Sequence, residues 1–316
     1  MTAPSDNADN PTKNQHYVPQ GYLRNFSTKD QIFAYDKSER RKFKTNVRNV
    51  AAETYFYDSD ELEKITGDRQ FIEKYLRRPE ALYADLVRGL IESLDAGTFR
   101  TIKPITRHFM SVYMILQMIR TKEAMLFGHH MAEAFVNMTK NAHRDAGLPP
   151  PTSEHILAGQ STAEIARDNH QLALLDGGHI KMMAGIIYQH IWVIKRAYQD
   201  EVFFTSDNPF GKRPHIKGGW RSMCGIQSEG IEIAFPFSSR YLLSLYERTH
   251  FKKMAILDGC VKDLWCSDNM IYYNQFQIVA STRYVFSKMA NFDFVEFLLN
   301  DQPIHGNPER PRVKVM

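Results

Sequence analysis

Ile231-Glu232-Ile233-Ala234-Phe235-Pro236-Phe237-Ser238 alternates large apolar side chains with Glu232, Ala234, Pro236 and Ser238. A period of two sends Ile231, Ile233, Phe235 and Phe237 to one side of an extended chain, so the segment reads as a strand with one buried face. Pro236 has no N–H for a ladder and points to an edge or a bulge. Working outward, residues 192–198, 202–205 and 241–246 read as further strands, the first two separated by Gln199, Asp200 and Glu201. Ser267 or Asp268 looks like the N-cap of a helix reaching about Arg283.

Upstream the period changes. Residues 68–141 are helical in pattern: Leu82, Leu86, Leu90 and Leu94 recur at four-residue spacing, with Pro79 near the start and Gly97 past the end. A second helix opens near Pro104, carries Ile105, Phe109, Val112, Leu116 and Ile119 as its stripe, and stops at Gly128. A third covers residues 131–143. Pro149, Pro150 and Pro151 break the chain, and Ser161 with Glu164 has the spacing of a capping box. Nearer the start, Pro19 suits the first position of a helix bearing Tyr22, Leu23 and Phe26, and residues 31–35 read as a strand. The order of elements predicts an α+β fold, a helical middle layer on one side of a mainly antiparallel sheet. Nothing alternates as βαβ, so a Rossmann-type dinucleotide fold is not expected. The expected organisation is a disordered residues 1–13, one domain over 14–300 with a sub-boundary near 146–160, and an extended or disordered tail over 301–316.

Of 316 residues, 43% are hydrophobic and 24% charged, which excludes wholesale disorder. Forty basic against 36 acidic residues leave +4, too little to announce a nucleic-acid or anionic-membrane partner. Cys224, Cys260 and Cys266 form no even framework and no CxxC pair, and free thiols in a reducing cytoplasm are expected. The start lacks the apolar core of a secretory signal, and the longest apolar run, 109–119, is shorter than the ~20 residues a membrane span needs. GxGxxG, the P-loop, HExxH and GxSxG are all absent, which lowers the standing of the nucleotide-dependent and zinc-peptidase classes. His129 and His130 are neighbours and point about 100° apart on a helix, so one ion does not suit both. His143, His155, His170 and His179 lack ligand spacing and are expected to be solvated.

Two segments and one arginine invite chemistry. His16, just before the Pro19 helix, sits where N–H groups collect an anion, and a neutral imidazole there suits a base or donor; the plain alternative is capping or packing. In Phe203-Phe204-Thr205-Ser206-Asp207-Asn208-Pro209 an apolar run ends in small polar residues. That arrangement suits a rigidly held carboxylate, and equally a turn in which Asp and Asn bind their own backbone. The chain supplies its own control, since Ser267-Asp268-Asn269 repeats the triplet where helix capping explains it. Arg120 either snorkels or turns inward to hold a carboxylate or phosphate. Glu53, Glu73 and Glu80 are further acids. Residues 37–48 carry Lys37, Arg40, Arg41, Lys42, Lys44 and Arg48 against Glu39 alone, a solvated hairpin tip or a phosphate contact.

In this order the segments resemble a bacterial family of uncharacterised proteins, DUF4238. The likeness is carried by His16-Tyr17-Val18-Pro19-Gln20 with Tyr22-Leu23-Arg24-Asn25-Phe26, by Asn49–Glu53 with Phe56-Tyr57, by Arg120-Thr121, and by Thr205–Pro209. Gly21 stands where an aromatic is expected. The resemblance implies no established activity; it implies that the His16 and Thr205–Pro209 blocks are shared polar features.

Two functions are therefore expected to compete. One is a phosphate-ester hydrolase, nuclease-like and serving defence against foreign nucleic acid. In it His16, Asp207, Arg120 and Ser206 share one cleft, while Asn208, Lys42, Lys44 and Arg48 hold substrate. A divalent metal would suit that chemistry, and no ligand motif for one is seen. The other is a non-catalytic binding or interaction module in which the same motifs are capping and turn devices. The oligomeric state is left open.

Overall fold

The computed structural model describes residues 13–216 and 225–312. The expected disorder of residues 1–13 falls, but for Lys13, outside the described residues, as do Cys224 and the last four residues of the tail. The chain opens with β1 (Asn14–His16), the short helix α1 (Gln20–Leu23), β2 (Gln31–Asp36), β3 (Arg41–Asn46) and β4 (Ala52–Thr54). The helical middle follows: α2 (Asp60–Thr66), α3 (Phe71–Asp95), α4 (Pro104–Ile119), α5 (Lys122–Asp145), α6 (Ser153–Ile156), α7 (Thr162–Leu175) and α8 (Gly177–Tyr188). Then come β5 (Ile191–Arg196), β6 (Thr205–Ser206), β7 (Gly211–Pro214), β8 (Ile231–Pro236), β9 (Tyr241–Tyr246) and β10 (Val261–Asp263). The chain closes with α9 (Ser267–Ala280), β11 (Tyr284–Ser287) and α10 (Asp293–Asp301). No described helix is long and apolar enough to cross a membrane.

The fold is α+β, and the described residues form three sheets where one was expected. A five-stranded sheet runs β10-β5-β9-β8-β7, a four-stranded sheet runs β3-β2-β11-β6, and β1 pairs with β4. All the pairs are antiparallel except β10 with β5. The four-stranded sheet joins chain segments more than 240 residues apart, since Tyr35 lies opposite Val285.

The helical middle packs on one face of the five-stranded sheet, as expected, and α9 covers the other. Ile231, Ile233 and Phe235 pack with Val87, Met114, Leu116 and Ile187 of the helical middle. Ala234 packs on the other side with Met270, Tyr273 and Phe276 of α9. Every residue of β8 is therefore buried, Glu232 included, where alternation predicted a solvated face. Pro236 lies past the reach of β7, which pairs only with Ile231 to Ala234, so its missing N–H faces no strand on that side.

Several boundaries also differ. Residues 202–204 form no strand: Phe203 N–H bonds to the Ser239 carbonyl, and Phe204 N–H to Asn274 Oδ1. The chain turns between α4 and α5 at Arg120-Thr121, where the Thr121 hydroxyl caps Ala124 N–H, and α5 runs straight through Gly128. An interior glycine costs a helix only about 1 kcal/mol, less than packing returns. Pro79 lies inside α3, and α9 is capped at Cys266 without a side-chain bond, so neither Ser267 nor Asp268 is its N-cap. The capping box of Ser161 and Glu164 forms as the spacing predicts. Residues 301–312 are not an extended tail. Pro303–Gly306 makes a 3-10 turn, and Arg310 returns into the protein with its side chain almost wholly buried.

Candidate functional site

Asp207 stands at the end of β6, and its carboxylate is occupied by main chain. Oδ1 accepts the N–H of Thr282 at 2.8 Å; Oδ2 accepts those of Arg283 and Tyr284 at 2.7 and 2.8 Å. These three amides follow the C-terminus of α9. The last carbonyls of the helix are collected by other distant side chains. Lys37 Nζ donates to Ile278 and Ser281, both at 2.8 Å, and Asn208 Nδ2 donates to Ala280 at 3.0 Å. Arg310 reaches Val279 and Thr282. A helix ends with carbonyls that lack internal partners and with negative partial charge, so buried cations and amides there serve a definite purpose. Burial presses the Lys37 ammonium down to about 7 despite its two carbonyls, and burial raises the Asp207 carboxyl against the pull of its amides. Ser206 Oγ lies between the Asn208 carbonyl and Gln277 Oε1, wholly buried. The Thr205–Pro209 block thus seats the end of α9.

Arg120 closes α4 and turns inward. Its Nη1 meets Glu80 Oε1 at 2.5 Å, its Nη2 meets the His16 carbonyl at 2.5 Å, and its Nε meets Tyr57 Oη at 3.2 Å. The His16 ring shares this node: its Nε2 is buried with no hydrogen-bond partner, and burial lowers its pKa. Glu73 lies near enough for its carboxyl to feel Arg120 and Glu80, with burial raising it. His170, expected in solvent, is buried here too. Its Nε2 bonds to the Ile119 carbonyl at 2.9 Å, its ring stacks on Tyr57, and burial lowers it to about 4.

The predicted residues therefore separate. His16 and Arg120 meet through the main chain, with Glu80 and Glu73 as the carboxyls beside them. Asp207, Ser206 and Asn208 belong to the α9 seat. No bond joins His16 to Asp207; the nearer neighbour of Asp207 is Tyr17, whose hydroxyl is raised by burial and by that carboxylate. Lys42 and Lys44 alternate with Phe43 along β3 and so leave the opposite face, with Lys44 Nζ 5.5 Å over the Phe33 ring. Arg48 Nε bonds to Asn46.

Between the two clusters lies a cleft of about 320 Å³. Tyr17, Phe43 and Tyr284 give it aromatic walls, and the turn from Asn49 to Glu53 forms one side. Lys122 and Glu53 pair across it at 2.5 Å, both about a third exposed. Asp207 and Thr282 line its floor. Sequence reasoning singled out Glu53, quoted Tyr17 only as part of the His16 block, and passed over Phe43, Lys122 and Tyr284, which carry no motif of their own. Among the described residues, no group of three His, Cys, Asp or Glu is placed to hold a metal ion.

The cleft thus joins the His16-Tyr17 block, the Asn49–Glu53 block and the Thr205–Pro209 block. A family model, described as a protein of unknown function, matches residues 14–291, a span that contains all three. The chain belongs to DUF4238. No curated protein and no solved structure matches this DUF4238 chain.

Proposed function

We propose that this protein is a binding module whose cleft takes a small polar ligand with a planar ring, of the size and chemistry of a nucleotide. The observation that carries the reading is the Asp207 carboxylate: a group already holding three main-chain N–H groups positions a helix and is poorly placed to move a proton. The cleft has the volume of small-ligand sites, aromatic walls for stacking, and a Lys122–Glu53 pair that offers both donor and acceptor. Cys260 and Cys266 are unpaired, which suits a cytoplasmic location. Calorimetric titration with AMP and with inorganic phosphate tests the reading. Saturable AMP binding that Lys122→Ala weakens at least tenfold is expected; no saturable binding by wild type overturns it.

A second reading, a nuclease-like phosphate-ester hydrolase in defence against foreign nucleic acid, is favoured by the unpartnered His16 Nε2 beside Arg120, Glu80 and Glu73. In it His16 is the base, Glu73 the acid and Arg120 the neutralising charge, without Asp207. Incubation with labelled RNA and DNA and a divalent ion decides it. Cleavage lost in His16→Gln supports it, and an inert wild type ends it.

A further inference from the structure

On the far side of the five-stranded sheet, α9 lies against the edge strand β7. The approach is close at Gly211, where a Cβ would fall 2.8 Å from that of Phe276. Arg213 is the register partner of Glu232, and His215 follows two residues on. His215 Nε2 meets Glu232 Oε2 at 2.8 Å, and Tyr272 Oη donates to the same oxygen at 2.5 Å. Ser244 Oγ donates to Oε1 at 3.2 Å. The carboxylate is almost wholly buried, whereas the His215 side chain is 31% exposed. The Arg213 guanidinium lies 4.4 and 4.5 Å over the Tyr272 and Phe276 rings.

A carboxylate only accepts, so the hydrogen of a neutral His215 sits on Nε2 and the lone pair on Nδ1. A buried carboxylate that fixes the tautomer of a half-exposed imidazole is the arrangement of a general base and its orienting acid. A neighbouring guanidinium adds a holder for negative charge. None of these residues touches the cleft.

The geometry points to a second, hydrolytic site, in which His215 is the base, Glu232 its positioning residue and Arg213 the anion holder, acting on a phosphate diester. Water bonds to phosphorus as His215 Nδ1 takes its proton. The bond from phosphorus to the leaving oxygen breaks, and the imidazolium returns the proton to that oxygen. The products are a phosphate monoester and an alcohol. The inference stands apart from the cleft reading, because AMP binding in the cleft and diester turnover at His215 are measured separately and either can fail alone.

Bis(p-nitrophenyl) phosphate is the probe, with released p-nitrophenol as the readout. Wild type is expected to turn it over, and His215→Ala to lose about a hundredfold or more in kcat/KM, with partial rescue by free imidazole. Glu232→Gln keeps the size of the side chain and removes the charge that orients the His215 ring. Its kcat is therefore expected to fall about tenfold or more with KM little changed, as for a lost positioning residue. An inert wild type overturns the inference. So do His215→Ala and Glu232→Gln variants whose losses follow their melting temperatures, with kcat and KM changing together and no imidazole rescue; that outcome makes the pair a clasp for the sheet edge.

Discussion

The Arg120 guanidinium donates to the main-chain carbonyl of His16 and not to its ring, while its other arm holds Glu80. One buried cation thereby ties the first strand to the middle of α3 and the end of α4. Arg120→Met leaves that carbonyl and Tyr57 Oη short of a donor and frees Glu80. It is expected to cost about 3–5 kcal/mol by urea unfolding. Arg120→Lys keeps the charge but not the fork, and is expected to lose less.

Asp207→Ala strips a partner from three amides at once. With each unsatisfied buried group worth about 1–3 kcal/mol, a loss of about 3 kcal/mol or more is expected, and Asp207→Asn falls between. A calorimetric melt gives the value. An unchanged melting temperature would return Asp207 to the list of reacting groups.

His170 makes stability pH-dependent. Its folded pKa, about 4, lies below the ordinary 6.5, so between those values the unfolded chain binds a proton that the native protein refuses. Stability is therefore expected to fall as pH drops from about 6.5 to about 4, by up to roughly 3 kcal/mol from this group, and no further below. His305 shifts the same way. Urea midpoints across that range, compared with His170→Gln, should show a shallower slope in the variant.

The Lys122–Glu53 pair is a third exposed, where solvent screens it. Glu53→Gln is expected to cost under about 1 kcal/mol. This small cost makes the pair a clean probe of the cleft, because AMP affinity changes while the melt does not.

Arg310 and Arg312 meet Glu123 at 3.2 and 2.9 Å, and Glu123 also accepts from Thr282 Oγ1 at 2.7 Å. Arg310→Ala removes a donor from that carboxylate and from two carbonyls near the end of α9. A loss of about 2 kcal/mol is expected, read as a melting temperature lower by several degrees.

Much of the fold was legible because hydrophobic period is a local property. The repeat in Leu82–Leu94, the Ser161 capping box and the alternation at Ile231–Phe237 each follow from neighbours in sequence. Boundaries were less so. A tertiary partner decided them, as when Asn274 took the Phe204 N–H that a strand would have used. The site was least legible. His16 and Arg120 were found, and Glu73 and Glu80 were named only as further acids, while Asp207 drew attention for residue types that a helix seat needs equally.

The chain by itself determined the class of fold, the strands and helices with strong periods, and the polar blocks that mark its family. Tertiary structure alone decided which carboxyl stands beside His16, that a buried Glu232 meets a half-exposed His215, and that Lys37 ends inside the protein at the foot of α9. The physical reason is range. Periodicity is set by backbone geometry over a few residues, whereas a buried charge is placed by whichever distant group supplies its missing hydrogen bonds.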